Sequence, residues 1–281
     1  MSEVEITELE PDYVSLTTDL LFHLVFTKND RARISLISSL LGIPESEIIS
    51  ARVLNPIQLN ESFDTKTTVL DLDVLLNDAK HILVEMQVRK FDHWTNRTLI
   101  YGCREIDDQT RGKDFSYGKL QDVIQIAIMD YTLFPENKKF FARYKILDEE
   151  TGYPFTDKLQ FYVMDLTAID MAKDQDKDDG LVDWANAFSA RDWETVKKIE
   201  NSGVKEAQKT MEAILSSPEQ RQMIWNRRKA LLDYKSEMED AETRGMLNVL
   251  LGLVRDQMIT VSEAAKRAGM TESEFMEKTG L

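Results

Sequence analysis

The chain has few of the residues that build several common kinds of functional site. Its 281 residues include one cysteine, Cys103, and three histidines. A single cysteine excludes an intramolecular disulfide framework and multi-cysteine zinc sites. Nucleophile elbows, phosphate-binding Walker loops and dinucleotide-binding glycine patterns are all missing from the sequence. Their absence argues against serine hydrolases, NTPases and dehydrogenases.

Long hydrophobic runs are also missing. A membrane-spanning helix requires about 18 or more consecutive apolar residues, and the sequence has no such run. Its first residues are acidic and lack the apolar stretch of a signal peptide. We therefore expect a cytoplasmic protein that does not contact membranes. Hydrophobic residues make up 42% of the chain, which is enough for a sizeable core.

Positive charge is scarce. The chain has 35 lysines and arginines against 50 acidic residues, for a formal net charge of −15. Such a chain repels DNA at long range, because DNA binding normally relies on Lys and Arg against phosphate. If DNA is a partner, binding requires a local basic surface, a bound metal ion or assembly.

Two adjacent segments have the alternation of apolar residues that is typical of strands. Residues 69–76 and 81–88 each alternate with a period of two. The turn-like run at 77–80 between them predicts a hairpin.

Acidic side chains occupy the face of this hairpin that the apolar residues leave open. Asp71 and Asp73 lie on that face of the first strand, and Glu85 and Gln87 lie on that face of the second. A hairpin with its apolar face buried puts both polar faces on the same side, so the carboxylates converge as in a divalent-metal site. The alternative is a polar hairpin face that only meets water.

The hairpin register decides which of these residues face each other. With a three-residue loop at 78–80, Asp73 lies opposite Glu85 and Asp71 opposite Gln87. Opposed Cβ atoms are about 4.5–5.5 Å apart, and two carboxylates at that distance repel each other unless a cation lies between them.

The helix predicted after the hairpin carries the clearest candidate for a DNA-contacting surface. Arg97, Arg104 and Arg111 recur every seven positions and share a face, with Tyr101 between the first two. Alternatively, Asp108 on the same face pairs with Arg104 and Arg111 in a solvated row of ion pairs.

These residues together resemble the PD-(D/E)XK nuclease superfamily, and more closely its branch of recombination-promoting nucleases and transposases. Asp73 is followed after eleven residues by Glu85-Met86-Gln87, and that branch commonly has Gln where the superfamily has Lys. The resemblance covers roughly residues 15–170, and its other matching segments are 19–26, 36–41, 55–56, 97–101 and 122–128.

The resemblance implies a fold, an activity and roles for individual residues. The fold is an α/β restriction-endonuclease-like mixed sheet flanked by helices, and the activity is cleavage of DNA phosphodiester bonds with Mg²⁺ or Mn²⁺. Asp73 and Glu85 would hold the metal, with the backbone carbonyl of Met86 as a further ligand. Gln87 would position water and phosphate, and Asp19 would approach the metal from the first helix.

The chain is predicted to contain a nuclease-like domain at 10–170 and a helical C-terminal region at 181–281, separated by a charged run. The helical region is a candidate surface for homo-oligomer formation. A rival interpretation is a catalytically inactive nuclease-fold protein that acts through protein–protein interaction. The predicted helices are 13–27, 31–42, 92–112, 181–189, 192–200, 203–215, 218–258, 261–269 and 271–278, and the later strands are 119–130, 140–147 and 159–166.

Overall fold

The structure is a computed structural model that describes residues 13–55, 72–111 and 115–281. Asp71 and the beginning of the predicted first hairpin strand lie outside the described residues. The chain divides into two compact units, Met1–Ile224 and Trp225–Leu281.

The helices and strands that the sequence predicts occur in the predicted order, and a further short helix, Asp174–Asp178, lies in the charged run before residue 181. The described elements are α1 (Asp19–Lys28), α2 (Asp30–Leu41), β1 (Ala51–Val53), β2 (Leu72–Leu76), β3 (Lys80–Gln87), α3 (Trp94–Gln109), β4 (Asp122–Met129), β5 (Phe141–Leu147), β6 (Pro154–Asp165), α4 (Asp174–Asp178), α5 (Leu181–Ser189), α6 (Trp193–Lys197), α7 (Ser202–Ser216), α8 (Pro218–Arg255), α9 (Val261–Arg267) and α10 (Glu272–Thr279).

The described strands form one mixed sheet of six, in the order β1-β2-β3-β4-β6-β5. β1, β2 and β3 pair in antiparallel fashion, β3, β4 and β6 are parallel, and β5 returns antiparallel along β6. Because β3 and β4 are parallel neighbours, the chain crosses from one to the other through α3. This mixed sheet with flanking helices confirms the predicted fold class.

One face of the sheet packs against helices from both ends of the first unit. Val84 of β3 and Ile126 of β4 are buried in the same cluster as Phe22 of α1 and Trp184 of α5. The cluster extends into α7, so the first unit runs on to Ile224. The predicted domains at 10–170 and 181–281 stay a prediction, and buried residues of α5 and α7 belong to the same cluster as the sheet residues.

The hairpin turn sets a register that differs from the predicted one. Asn77 and Asp78 both have φ of 50°, a left-handed conformation that Asn and Asp tolerate better than most residues. The loop is therefore 77–79, one residue earlier than predicted, and Asp73 pairs with Leu83. The predicted opposition of Asp73 and Glu85 is wrong. The predicted common face is correct, because Leu83 and Glu85 point to the same side of β3.

The second unit has a small core of its own. The C-terminal end of α8 contributes Leu247 and Leu250, which cluster with Phe275 of α10. Thr271 caps α10 by accepting a hydrogen bond from the Glu274 N–H, as the capping-box pattern predicts. None of the helices in the described ranges is both long enough and apolar enough to cross a membrane.

Candidate functional site

A cleft of about 360 Å³ lies between α3 and the sheet face that points away from the main core. Its lining combines carboxylates, one arginine and several apolar side chains: Leu72, Asp73, Leu83, Val84, Glu85, Tyr101, Arg104, Glu105, Asp108 and Gln125. The cleft therefore places the acidic face of the hairpin next to one side of α3.

Helix α3 lies close against the sheet because its contact residues are small or hydrogen-bonded. A Cβ at Gly102 would lie 2.7 Å from Leu159 Cδ1, so only glycine fits at that position without displacing its neighbour. One turn earlier, the buried Thr98 hydroxyl donates to Gln125 Oε1 on β4. These two contacts fix the position of the helix over the cleft.

Asp73 has a firmly held backbone and an unsatisfied side chain. Its N–H donates to Asn55 Oδ1 at 3.0 Å, and its carbonyl accepts from Leu54 N at 2.8 Å. Its Oδ1 atom is buried and accepts no hydrogen bond from the described part of the chain. Burial, and to a smaller extent the charge of Glu105, raise the pKa of Asp73 to about 6, while the charge of His81 opposes that shift.

Glu85 has partners that compensate its charge. Arg97 Nη2 lies 3.3 Å from Glu85 Oε2, and Gln87 Nε2 donates to the same oxygen at 3.3 Å. Burial raises the pKa of Glu85, and the Arg97 guanidinium opposes that shift. The guanidinium carbon lies 5.2 Å from the ring centroid of Phe91 and 6.0 Å from that of Tyr101. Arg97 is therefore held toward Glu85.

A histidine–glutamate pair lies beside Asp73. His81 Nδ1 is 2.8 Å from Glu105 Oε1, and His81 Nε2 is 2.8 Å from Gln121 Oε1. The Gln121 amide donates to the Asp78 carbonyl, which leaves its oxygen facing the imidazole. The Glu105 carboxylate beside Nδ1 is the main cause that raises the pKa of His81, and burial opposes that shift. This arrangement favours a protonated imidazole, since both ring nitrogens face acceptors.

The sequence reasoning missed this pair, although two signals pointed to it. His81 has the same odd-numbered parity on β3 as Glu85, so it shares the polar face. Glu105 follows Tyr101 by one helical turn and so shares the side of α3 that lines the cleft.

The four residues that we predicted to contact DNA do not share one environment. Tyr101 and Arg104 line the cleft. Within the described ranges, Arg104 has no carboxylate at ion-pairing distance, whereas Arg111 pairs with Asp107 at 3.1 Å and Asp108 at 3.0 Å. The alternative of a solvated ion-pair row therefore holds for Arg111 and not for Arg104.

The donor set fits a hard divalent cation in part. Asp73 and Glu85 present carboxylate oxygens to one cleft, and carboxylate oxygens are the donors that hard divalent cations take; Asp73 Oδ1 is buried and has no hydrogen-bond partner in the described residues. The Met86 side chain is buried in the main core, so only its backbone carbonyl could serve. Asp19 is not among the cleft-lining residues, and its role stays a prediction. Across 13–55, 72–111 and 115–281, no group of three or more His, Cys, Asp or Glu side chains is arranged to hold a metal ion.

One comparison with known proteins, with a family model, agrees with this architecture. A search of curated proteins found no match, and neither did a search of solved structures. A family model described as PD-(D/E)XK nuclease family transposase matches residues 16–241, which reach past the 15–170 range of the sequence resemblance. The chain belongs to the PD-(D/E)XK nuclease family transposases.

Proposed function

We propose that this protein is a divalent-metal-dependent DNA endonuclease that hydrolyses phosphodiester bonds and is linked to recombination or mobile elements. Family membership supports nuclease chemistry in general. The observation that carries the metal-dependent proposal is the buried Asp73 Oδ1, which accepts no hydrogen bond from the described residues and shares a cleft with Glu85.

The proposal gives each cleft residue a distinct part. Asp73, Glu85 and the Met86 carbonyl would hold Mg²⁺ or Mn²⁺. When bound, such an ion lowers the pKa of a coordinated water and offsets the negative charge of the phosphate. Gln87 can orient a water, because its amide offers both an acceptor and donors.

Arg97 acts through Glu85 in this proposal. Its guanidinium pairs with one carboxylate oxygen of Glu85 and lies near the rings of Phe91 and Tyr101. We therefore assign Arg97 as a positioning residue. Arg104 is the better candidate for contact with a DNA phosphate, since it is exposed and lines the cleft.

The test is nicking of supercoiled plasmid by the full-length protein with Mg²⁺ or Mn²⁺. We expect nicking by the wild type and none by Asp73→Asn or Glu85→Gln, which keep side-chain size and remove charge. Asp157→Asn on β6 is the matched control, because its exposed carboxylate pairs with Lys145 outside the cleft. Equal nicking by all four proteins would point to a contaminating nuclease or to a misplaced site.

The rival interpretation makes a different prediction in the same assay. A catalytically inactive nuclease fold would be correctly folded, would bind neither Mg²⁺ nor Mn²⁺, and would not nick plasmid under any metal condition. That result would favour a protein that acts through protein partners, consistent with its net charge of −15.

A further inference from the structure

The middle of α8 is a helical segment with exposed apolar side chains. Residues 232–242 are all exposed, and Tyr234 and Met238 are 56% and 52% exposed. Helices in proteins gain most of their stability from packing an apolar face. A long helix that leaves large apolar side chains in water therefore indicates a surface for another helix.

These apolar residues follow the spacing of a coiled coil. Leu231, Tyr234, Met238, Ala241 and Gly245 are separated alternately by three and four residues. That is the a and d pattern of a heptad repeat, and we call these five residues the heptad stripe.

The core of the second unit leaves the heptad stripe uncovered. Leu247 and Leu250 are the α8 residues buried against α9 and α10. With about 3.6 residues per turn, they lie on the opposite side of the helix from Ala241 and Gly245. A Cβ added at Gly245 would meet nothing within 4 Å, so the space beside it is open.

We propose that the heptad stripe pairs with the same stripe of a second copy of this chain, as an antiparallel two-stranded coiled coil. The stripe has large residues in its first half and small residues in its second half. An antiparallel arrangement places Met238 against Ala241 and Tyr234 against Gly245 of the second copy. Large and small side chains then interdigitate, which fills the interface without voids.

The charges beside the stripe support the same orientation. Lys235 and Glu242 flank one side of the stripe, and Glu237 and Arg244 flank the other. In the antiparallel pair, Lys235 lies beside Glu242 of the second copy and Glu237 beside Arg244. A parallel pair would instead place Glu237 beside Glu242, and these two negative charges repel each other. A two-fold axis makes each attractive contact occur twice.

Sedimentation equilibrium of the full-length protein tests this inference. We expect a monomer–dimer equilibrium for the wild type. Lys235→Glu should raise the dimer dissociation constant on the order of tenfold, because two contacts change from attraction to repulsion. The double variant Lys235→Glu, Glu242→Lys should restore wild-type affinity. Lys229→Glu makes the same charge change on the outer side of the helix and should leave the dissociation constant unchanged.

The single variant Glu242→Lys separates the two orientations. It weakens an antiparallel dimer by placing two lysines side by side, and it strengthens a parallel dimer by pairing the introduced lysine with Glu237. A monomer at every concentration, equal effects of the Lys229 and Lys235 changes, or tighter association of the Glu242 variant would each overturn the proposal.

Disulfide trapping gives a second, independent readout of orientation. In a Cys103→Ser background, a mixture of Tyr234→Cys and Gly245→Cys proteins should form mixed disulfide dimers under mild oxidation. Tyr234→Cys protein alone should remain uncrosslinked. Crosslinking of that protein with itself would indicate parallel helices and contradict the antiparallel assignment.

Discussion

The two faces of strand β3 differ in composition and in surroundings. Ile82 and Val84 on one face are almost completely buried in the main core, at 0% and 1% exposure. Glu85 and Gln87 on the other face lie beside the cleft under α3. One alternating strand therefore supplies part of the core and part of the candidate site. Burial of its apolar face offsets the cost of partly burying carboxylates on the other.

The polar face contains a second contrast, between two carboxylates. Glu85 is paired with Arg97, while Asp73 Oδ1 is buried and has no hydrogen-bond partner in the described ranges. Within the described ranges, Glu85 therefore has a direct ion-pair partner, whereas Asp73 Oδ1 has no hydrogen-bond partner. A bound cation would supply a partner for Asp73 Oδ1, which has none in the described ranges.

The largest effect is expected when the polar face alone is changed. Glu85→Gln should reduce metal-dependent plasmid cleavage by about a thousandfold, because a metal contributes several kcal/mol of transition-state stabilisation. Its unfolding free energy should change by less than about 1 kcal/mol, as the substitution keeps side-chain size. Cleavage rates and urea unfolding curves of the same preparation check both halves. A thousandfold loss accompanied by unfolding would contradict the assignment.

The apolar face should show the opposite behaviour. Ile82→Ala shortens a side chain at a fully buried position that does not line the cleft, and it should lower the unfolding free energy by about 3 kcal/mol. The cleavage rate per folded molecule should stay within about twofold of wild type, since the side chain points into the core. Urea unfolding and cleavage at low temperature measure the two quantities. A large loss of cleavage by folded Ile82→Ala protein would show that the two faces are not separable.

The buried charge of Asp73 should appear as a pH-dependent loss of stability. Its pKa is about 6 in the folded protein against an ordinary value of 3.8, so the folded state binds the proton more tightly. Its stabilising contribution is therefore present below about pH 4 and is lost as pH rises through about 6. In EDTA, Asp73→Asn should be more stable than wild type by on the order of 1–2 kcal/mol at pH 8.

The matching control for this prediction is acid pH. Near pH 3 the Asp73 carboxyl is mostly protonated in both the folded and unfolded states, so the stability advantage of Asp73→Asn should vanish. Urea unfolding across the pH range measures the difference. A constant difference between the two proteins at all pH values would mean that a cause other than the buried charge is responsible.

The smallest effects are expected on α3. Arg104→Ala should weaken DNA binding several-fold and reduce the slope of log affinity against log salt concentration by about one, because one phosphate contact is lost. Arg111→Ala should change neither quantity much, because Arg111 is paired with Asp107 and Asp108. DNA binding of catalytically inactive Glu85→Gln protein at several salt concentrations tests both. Equal effects of the two substitutions would remove the distinction between them.

The sequence predicted the common face of the carboxylates but not their register. The period-two alternation places Asp73 and Glu85 on one side whatever the loop, provided that the apolar side is buried. The register depends on the left-handed conformation of Asn77 and Asp78, which alternation does not encode. The residue opposite Asp73 is therefore Leu83, two positions before the predicted Glu85.

For a related reason, the sequence does not predict which residues of the sheet the side chains of α3 contact. The seven-residue spacing places Arg97 and Arg104 on one side of α3, which ends at Gln109 before Arg111, and it contains no information about the strand below. The close packing of α3 on the sheet at Gly102 accompanies the contact between Arg97 and Glu85. The same close packing of α3 on the sheet places Glu105 Oε1 2.8 Å from His81 Nδ1, although the two residues are 24 positions apart in the chain.

Thermal unfolding at pH 7.5 with and without Mn²⁺ tests most directly whether Asp73 is a cation ligand. Without metal, Asp73→Asn should melt at a higher temperature than wild type, because it lacks the buried charge. With Mn²⁺, the melting temperature of wild type should rise and that of Asp73→Asn should not, since a ligand stabilises only the folded state that binds it. An equal Mn²⁺-induced rise in both proteins, or none in wild type, would contradict a metal site at Asp73.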